Sequence, residues 1–472
     1  MTRRDMHRRL LAAIALVGLG ATLPVQGCSP DSVLDVTDPD IIIEANSAAG
    51  ALALKNGAIH RLTQATTGGE GVVIWGALIT DEWRSGDTFV QRNDQDQRLW
   101  NPANTFSAAP FRNLNRVRIE GQAAVAALRT FLPSPASNIG LMFAVIAYAE
   151  NMLGEHYCNG IPLSTPVGST IVYGDPVPYD SLYILAVNHA DSALANRAGP
   201  DSTKVRWLAS VVKGRALLNR AQFAAAGLAA AGVPDTFKFS IFHSLTAITN
   251  QVWGLNNSAK RYTMVDLEGN CAASGTCAGV GLNFIAANDP RLPRRTAAST
   301  DRIFDSSIPL AVTRQGKFGR ENSVPVATGI EARMIEAEAA LRAGDNTTWL
   351  TIINRVRTDT TKYPPLGPVA SPVISSDATF TRGPALTALA DPGTQTARED
   401  IMFRERAFWM FGTGHRLGDL RRLMRQYGRT EAQVYPTGAY YKGGTYGDAI
   451  MMSIPFVETN NPNFHECTDR NP

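Results

Sequence analysis

Residues 330–345 read Ile330-Glu331-Ala332-Arg333-Met334-Ile335-Glu336-Ala337-Glu338-Ala339-Ala340-Leu341-Arg342-Ala343-Gly344-Asp345, and Trp349, Ile352, Ile353 and Val356 follow. Ile330, Met334, Ala337 and Leu341 recur at steps of three and four, which places them on one face of a helix. Gly344-Asp345 makes the turn, and the second apolar set lines the next helix. The stretch is therefore a helical hairpin. Three more segments carry the same period: Ile139, Phe143, Ile146 and Leu153; Tyr183, Val187, Ala190 and Leu194; Trp207, Val211, Gly214 and Leu218. Alanine is dense on these faces (Ala337, Ala339, Ala340; Ala224 to Ala226), as close approach of two helices requires. No 34-residue period recurs, so the pairs are tetratricopeptide-like without a regular repeat. The expected fold class is mostly α: helix pairs joined by long irregular loops, with a few short strands.

The irregular stretches are residues 84–110, rich in Asn, Gln and Arg; residues 234–327, mixing Gly, Pro, Asn and aromatics; and residues 359–397, rich in Pro, Ser and Thr. They are too long for plain connectors and are expected to be folded, functional loops. A strand is expected near Ile308–Thr313. The chain has 472 residues, of which 44% are hydrophobic and 18% charged, enough apolar material for a large core.

The formal net charge of +3 is local. Arg3, Arg4, Arg8 and Arg9 against Asp5 place all of it in the first 27 residues, leaving 41 basic and 41 acidic residues downstream. A neutral remainder gives no argument for a nucleic-acid partner. The basic stretch precedes an apolar run from Leu10 to Leu23, shorter than the roughly 20 residues a spanning helix needs. Residues 1–27 are thus expected to be an export signal. They end Val25-Gln26-Gly27-Cys28, similar to a bacterial lipobox, with Cys28 as the lipidated residue and Ser29 as the residue that usually directs such proteins to the outer membrane. Residues 28–472 would then form a single helical domain carrying a loop-rich insertion at about 234–327.

Four cysteines remain: Cys158, Cys271, Cys277 and Cys467. An even count in an exported chain points to two disulfides, with three possible connectivities. Cys271 and Cys277 flank a short Ala/Ser/Gly/Thr loop that closes easily, which leaves Cys158 to pair with Cys467. The absence of any C-x-x-C pair argues against zinc.

Several ordered patches resemble the SusD/RagB family of outer-membrane nutrient-binding lipoproteins. They are Leu34-Asp35-Val36-Thr37-Asp38-Pro39; Ala147-Tyr148-Ala149 with Gly154 and Ile161-Pro162-Leu163; Asp289-Pro290-Arg291-Leu292; Glu405-Arg406-Ala407-Phe408 with Gly414-His415-Arg416-Leu417-Gly418-Asp419-Leu420-Arg421-Arg422; and Ile454-Pro455, Glu458 and Asn461-Pro462-Asn463. The chain departs from the family pattern at Trp409, Gly412-Thr413 and Leu417. Arg416 and Asp419 are close enough to join a charge-assisted network with Glu405 and Arg406, a structural role. The run Gly412, Gly414, Gly418 has the wrong spacing for a dinucleotide loop.

The resemblance implies binding of oligosaccharide or peptide at the cell surface without chemistry, and a TonB-dependent barrel of the SusC type as partner. Family ligand residues sit in variable loops, so none is carried over. Sugar rings stack on flat aromatics while their hydroxyls seek carboxylates, amides and guanidinium groups. On that chemistry the candidate platform is Asp81, Trp83, Arg84, Trp100, Asn101, Trp253 and Tyr262. Trp75, Trp207, Trp349 and Trp409 fall on helical faces and belong to the core. Tyr435, Tyr440, Tyr441 and Tyr446 could face a partner protein. No enzyme activity, metal or cofactor is expected. Asp81, Glu82 and Asp87 suggest a glycosidase pair, yet neighbouring carboxylates on one loop are usually only solvated. There is no G-x-S-x-G elbow and no H-E-x-x-H helix. The rival from another class is a tetratricopeptide-type envelope assembly scaffold that binds only proteins.

Overall fold

The hairpin at residues 330–356 folds as its period requires. Helices Gly329–Arg342 and Asn346–Thr358 are joined at Gly344, whose φ of +78° suits glycine. Thr328 Oγ1 accepts from Glu331 N at 3.0 Å and Asp345 Oδ1 from Thr348 N at 3.0 Å, so both helices are capped at their N-termini. Met334, Ala337, Leu341, Trp349, Ile353 and Val356 are all buried. The computed structural model describes residues 45–168, 170–266, 282–296, 301–365 and 380–472.

In chain order the main helices are α1 (Ala48–Thr67), α2 (Val72–Ile79), α3 (Val90–Asp96), α4 (Ala108–Phe131), α5 (Ser137–His156), α6 (Tyr179–Ala195), α7 (Ser202–Asn219), α8 (Phe223–Ala230), α9 (Gly329–Arg342), α10 (Asn346–Thr358), α11 (Gln395–Met410) and α12 (Arg416–Tyr427). From α4 to α10 each helix packs on the next, and α1 packs on α4. This continuous chain of helical pairs is the tetratricopeptide-like arrangement. Helix α5 is its centre, buried from Ile139 to His156, with no polar face left to solvent. Gly154 lets α5 and α6 approach, because a Cβ there would lie 2.7 Å from the Tyr183 ring.

The strands are short and pair two by two: β1 (Arg84–Ser85) with β7 (Tyr262–Thr263), β2 (Ile161–Pro162) with β5 (Pro176–Val177), β3 (Thr165–Val167) with β4 (Thr170–Val172), β6 (Lys238–Ile241) with β10 (Val324–Thr328), and β8 (Arg294–Thr296) with β9 (Thr313–Gln315). All are antiparallel. The β6–β10 ribbon closes the base of the 234–327 insertion. The strand expected at Ile308–Thr313 begins only at Thr313; upstream of it a single bridge joins Arg302 to Ala311.

Buried charge pairs fix how α11 and α12 dock. Of the network expected of Glu405, Arg406, Arg416 and Asp419, the two carboxylates take different arginines. Arg406 and Arg422 hold Asp419 at 3.0 and 2.8 Å, and Arg422 also grips Glu338 of α9. Glu405 instead pairs with Arg357 and with Arg291 at 2.5 Å, and Arg291 is braced by Asp289 at 2.6 Å. The Asp289-Pro290-Arg291 turn thus ties the insertion to α11. Gly412 (φ +70°) and Gly414 (φ +80°) form the turn into α12, and a Cβ on Gly418 would strike Glu155 of α5 at 2.9 Å. The glycine run is therefore turn and packing chemistry.

Cys158 and Cys467 form a disulfide that ties the residues after α5 to the C-terminal tail. Cys28, Cys271 and Cys277 lie outside the described residues.

Candidate ligand-binding face

Helix α2 is wholly buried, and the chain leaves it through Asp81, which takes a φ of +55°. That turn sends successive side chains of Asp81-Glu82-Trp83-Arg84 to different tasks. Trp83 packs against Phe411, ring centroids 5.2 Å apart, and Glu82 accepts from Gly412 N at 3.1 Å. Arg84 instead lies 4.2 Å above the Tyr441 ring. The polar stretch continues into Asp87, which receives Thr88 N at 2.7 Å together with the guanidinium groups of Arg92 and Arg261.

The tail segment 437–449 lies against this stretch. Gly447 N donates to Gln97 O at 2.8 Å and Ala449 N to Arg98 O at 3.1 Å, which sets the register between the two segments. Tyr440 stacks edge-on with Tyr441 and Tyr446, at 4.7 and 5.2 Å between centroids. Tyr440 Oη donates to Asp96 at 2.7 Å, and Lys442 Nζ reaches Asp305 at 3.0 Å. Burial pushes the Asp96 carboxyl up to about 6, against the opposing pull of Arg84 and the bond from Tyr440. Burial likewise pushes the hydroxyls of Tyr441 and Tyr446 far above the usual phenol range.

Around this half-buried floor stand side chains that reach solvent. Phe89 and Phe304 are 44% and 45% exposed, and the Arg261 guanidinium sits between them, 4.9 and 3.8 Å from their ring centroids. Tyr441, Tyr446, Arg261 and Lys442 are half-buried. The face therefore offers flat apolar rings beside guanidinium, ammonium and carboxylate groups, the combination that holds a sugar ring by stacking and its hydroxyls by charge-assisted bonds.

Trp100 is placed on a second concavity. Its ring lies 4.9 Å under the Arg470 guanidinium and lines a cleft of about 490 Å³ with Phe456, His465, Glu466 and Cys467 of the disulfide. Asn101 is half-buried, but its amide serves its own turn: Oδ1 accepts from Ala103 N at 3.1 Å and Nδ2 donates to Asp94 at 3.1 Å.

Burial divides the seven candidate platform residues. Asp81, Trp83, Trp253 and Tyr262 are buried, and Arg84 nearly so. Trp253 sits in the single turn Gln251–Trp253, its ring 5.8 Å from the Arg320 guanidinium. Tyr262 pairs backbone-to-backbone with Ser85. Their neighbours Asn256 and Asn257 bond the carbonyls of Tyr262, Thr313 and Gln315 at 2.8–3.0 Å, so this part of the insertion is held by amides where sheet hydrogen bonds are few. Long loops need apolar anchors, and these aromatics supply them. Trp75, Trp349 and Trp409 are core residues as expected, and Trp207 packs on Phe237 at 5.5 Å. Of the four tyrosines that could face a partner protein, Tyr441, Tyr446 and Tyr440 meet Arg84, Asp81 and Asp96 on the candidate face, while Tyr435 is buried and donates to Ile450 O at 2.9 Å. Phe89, Arg261, Phe304 and Lys442 went unread, since none stands in a periodic or motif context.

No family model and no curated protein sequence matches the chain. Solved structures do. A SusD homolog from Bacteroides thetaiotaomicron superposes with a TM-score of 0.62 at 11% identity, covering 89% of this chain and 97% of the other. A SusD superfamily protein from Parabacteroides distasonis gives 0.61 at 13% identity, covering 90% and 100%. A SusD-like carbohydrate binding protein from Bacteroides vulgatus gives 0.52 at 12% identity, covering 79% and 83%. The chain has the SusD-like fold.

Proposed function

We propose that this chain is a cell-surface binding lipoprotein that captures oligosaccharide, or alternatively peptide, nutrient and passes it to a TonB-dependent barrel of the SusC type. The observation that carries the reading is the face where Arg261 lies between exposed Phe89 and Phe304, on a SusD-like fold. Arg84, Tyr441, Tyr446 and Lys442 form its floor and rim, with Asp81 beneath; Trp100, with Asn101 beside it, belongs to the second cleft. Oligosaccharide stands first because ring faces and polar groups alternate there, and because one structural neighbour is described as a carbohydrate binding protein. Binding asks for no bond to be made or broken, so the protein acts without catalysis.

Acyl chains on Cys28 would anchor the protein to the outer membrane, facing the exterior. Among the described residues no helix is long and apolar enough to cross a membrane. Support for a protein partner comes from the β3–β4 hairpin, where Val167, Ile171, Val172 and Tyr173 are exposed. Asn461 and Asn463, on the tail segment that also exposes Phe456 and Val457, hold the chain just after this hairpin through Gly174 O and Tyr173 O at 2.8 and 3.4 Å. Clustered exposed apolar side chains of this kind mark docking surfaces.

The test is a glycan and peptide array probed with the full chain, alongside purification from its native membrane. Retention of an oligosaccharide or peptide, with a large β-barrel co-purifying, is the expected result. A blank array together with co-purification of only an envelope-assembly protein would overturn the reading.

A further inference from the structure

We propose that the cavity between the β6–β10 ribbon and the end of α11 binds a small carboxylate borne on a single six-membered ring. This cavity, of about 300 Å³, shares no lining residue with the face above, and the inference does not depend on that reading. Its size suits one ring with substituents.

Two kinds of group line it. Phe237, Phe318 and Trp409 are buried and give flat apolar surface. Lys238 and Lys317 stand beside them, Lys317 Nζ 5.3 Å from the Phe318 ring centroid. Lys317 Nζ donates to Trp409 O and Phe411 O, both at 2.9 Å, and pairs with no carboxylate among the described residues. An ammonium has three donors, so one remains for a ligand. Burial with no carboxylate in contact pushes its amine down to about 7, despite the more distant pull of Glu82. Lys238 at the edge is exposed and likewise forms no ion pair among the described residues.

The acidic groups of the wall are already engaged. Glu331 is held by Arg215 at 2.7 Å and His415 at 3.1 Å, while Asp235 is shared by Arg333 and Arg355 at 3.6 and 3.3 Å. The charge left over in the cavity is therefore positive. Trp409, on the same lining, carries a buried indole N–H without an acceptor, as do four other tryptophans, so it adds a donor without marking a site by itself. Donors in surplus beside aromatic walls call for an acceptor-rich, anionic group on a ring whose face can stack.

Titration calorimetry on the full chain, with benzoate and galacturonate as probes and benzamide and galactose as their neutral counterparts, tests this. At least one carboxylate should bind and its neutral counterpart should not. Preference for benzoate identifies an aromatic acid, and preference for galacturonate an acidic sugar. Lys317→Met should weaken binding roughly tenfold, the loss of one charged hydrogen bond. Lys238→Gln, at an exposed position that leaves the fold untouched, should weaken it roughly threefold. The proposal is overturned if neither carboxylate binds, if the neutral counterparts bind equally well, or if both variants keep wild-type affinity. Should Lys317→Met fail to fold, Lys238→Gln decides alone.

Discussion

The docking site of α11 and α12 and the face around Tyr441 both gather charged side chains, but they treat them differently. At the docking site, Asp419, Glu405, Glu338 and Glu331 each meet a buried arginine at bonding distance. At the face, Asp96 is buried with a tyrosine hydroxyl as its closest partner, and Arg261 and Lys442 are left half-open beside exposed rings. The carboxyl groups respond in opposite directions. Burial alone would raise Glu331, but Arg215 and His415 outweigh it and hold the group at about 2; Asp96 is pushed up to about 6. Closed clusters fix geometry, whereas open ones keep interaction capacity for something else.

The sharpest way to break this contrast is Asp419→Ala. It leaves Arg406 buried without its carboxylate, and removing one partner of a buried pair costs about 3–5 kcal/mol. Urea unfolding should show that loss, and a change within about 0.5 kcal/mol would mean the cluster does not secure α12. Next is the replacement of Cys158 and Cys467 together by alanine, which should cost about 2–4 kcal/mol. Its loop encloses residues 158–467, including the tail segment that packs on the face, so cleavage of the tail by protease should also quicken.

Acid should separate the two regions without mutation. Glu331 has a folded value of about 2, below the roughly 4.3 of an unfolded glutamate, so its stabilisation is full above pH 4.3 and lost as pH falls toward 2. Burial holds His156 neutral down to about 3, below the roughly 6.5 of a free histidine, so stability also declines as pH falls from 6.5 toward 3. Asp96 has the reverse sign. Its folded value of about 6 exceeds the roughly 3.9 of a free aspartate, so its contribution is present below pH 3.9 and lost as pH rises through 6. Asp96→Asn should therefore raise stability at pH 8 by roughly 3 kcal/mol more than at pH 4. Melting curves at the two pH values check it, and equal shifts at both would assign the effect to packing.

The two regions also differ in how far one sequence reveals them. The hairpin at 330–356 was legible because its period, turn and caps are local, and α5 to α7 were legible from their period alone. The pairing of Cys158 with Cys467 was legible because so few cysteines compete. The face was only half legible. Asp81, Arg84, Trp100 and the tyrosines of 435–446 all drew attention, but nothing local says that residues some 350 positions apart share one surface. The burial of Trp83, Trp253 and Tyr262 was not legible either. An aromatic in a polar loop reads alike whether it anchors that loop or faces solvent, and only its contacts with Phe411, Arg320 and Arg92 decide.

The smallest effect on stability should come from the residues the sequence did not flag. Phe304→Ala removes an exposed ring whose loss uncovers no buried polar group, so unfolding should shift by no more than about 0.5 kcal/mol. If the face is a binding surface, the same change should abolish stacking and weaken a bound oligosaccharide roughly tenfold, since one aromatic contact contributes about 0.5–1.5 kcal/mol beyond its area. Arg261→Ala should weaken binding likewise, because the guanidinium holds both rings and is itself within reach of a ligand; the buried Asp87 carboxylate it pairs with keeps Arg92, so the loss of stability should stay small. Measured by calorimetry on whichever oligosaccharide the array returns, the pair sharpens the comparison in one step. Loss of affinity at unchanged melting temperature means these charges are open for a ligand. A loss of melting temperature with affinity retained would place Arg261 with Asp419, as one more member of a closed structural cluster.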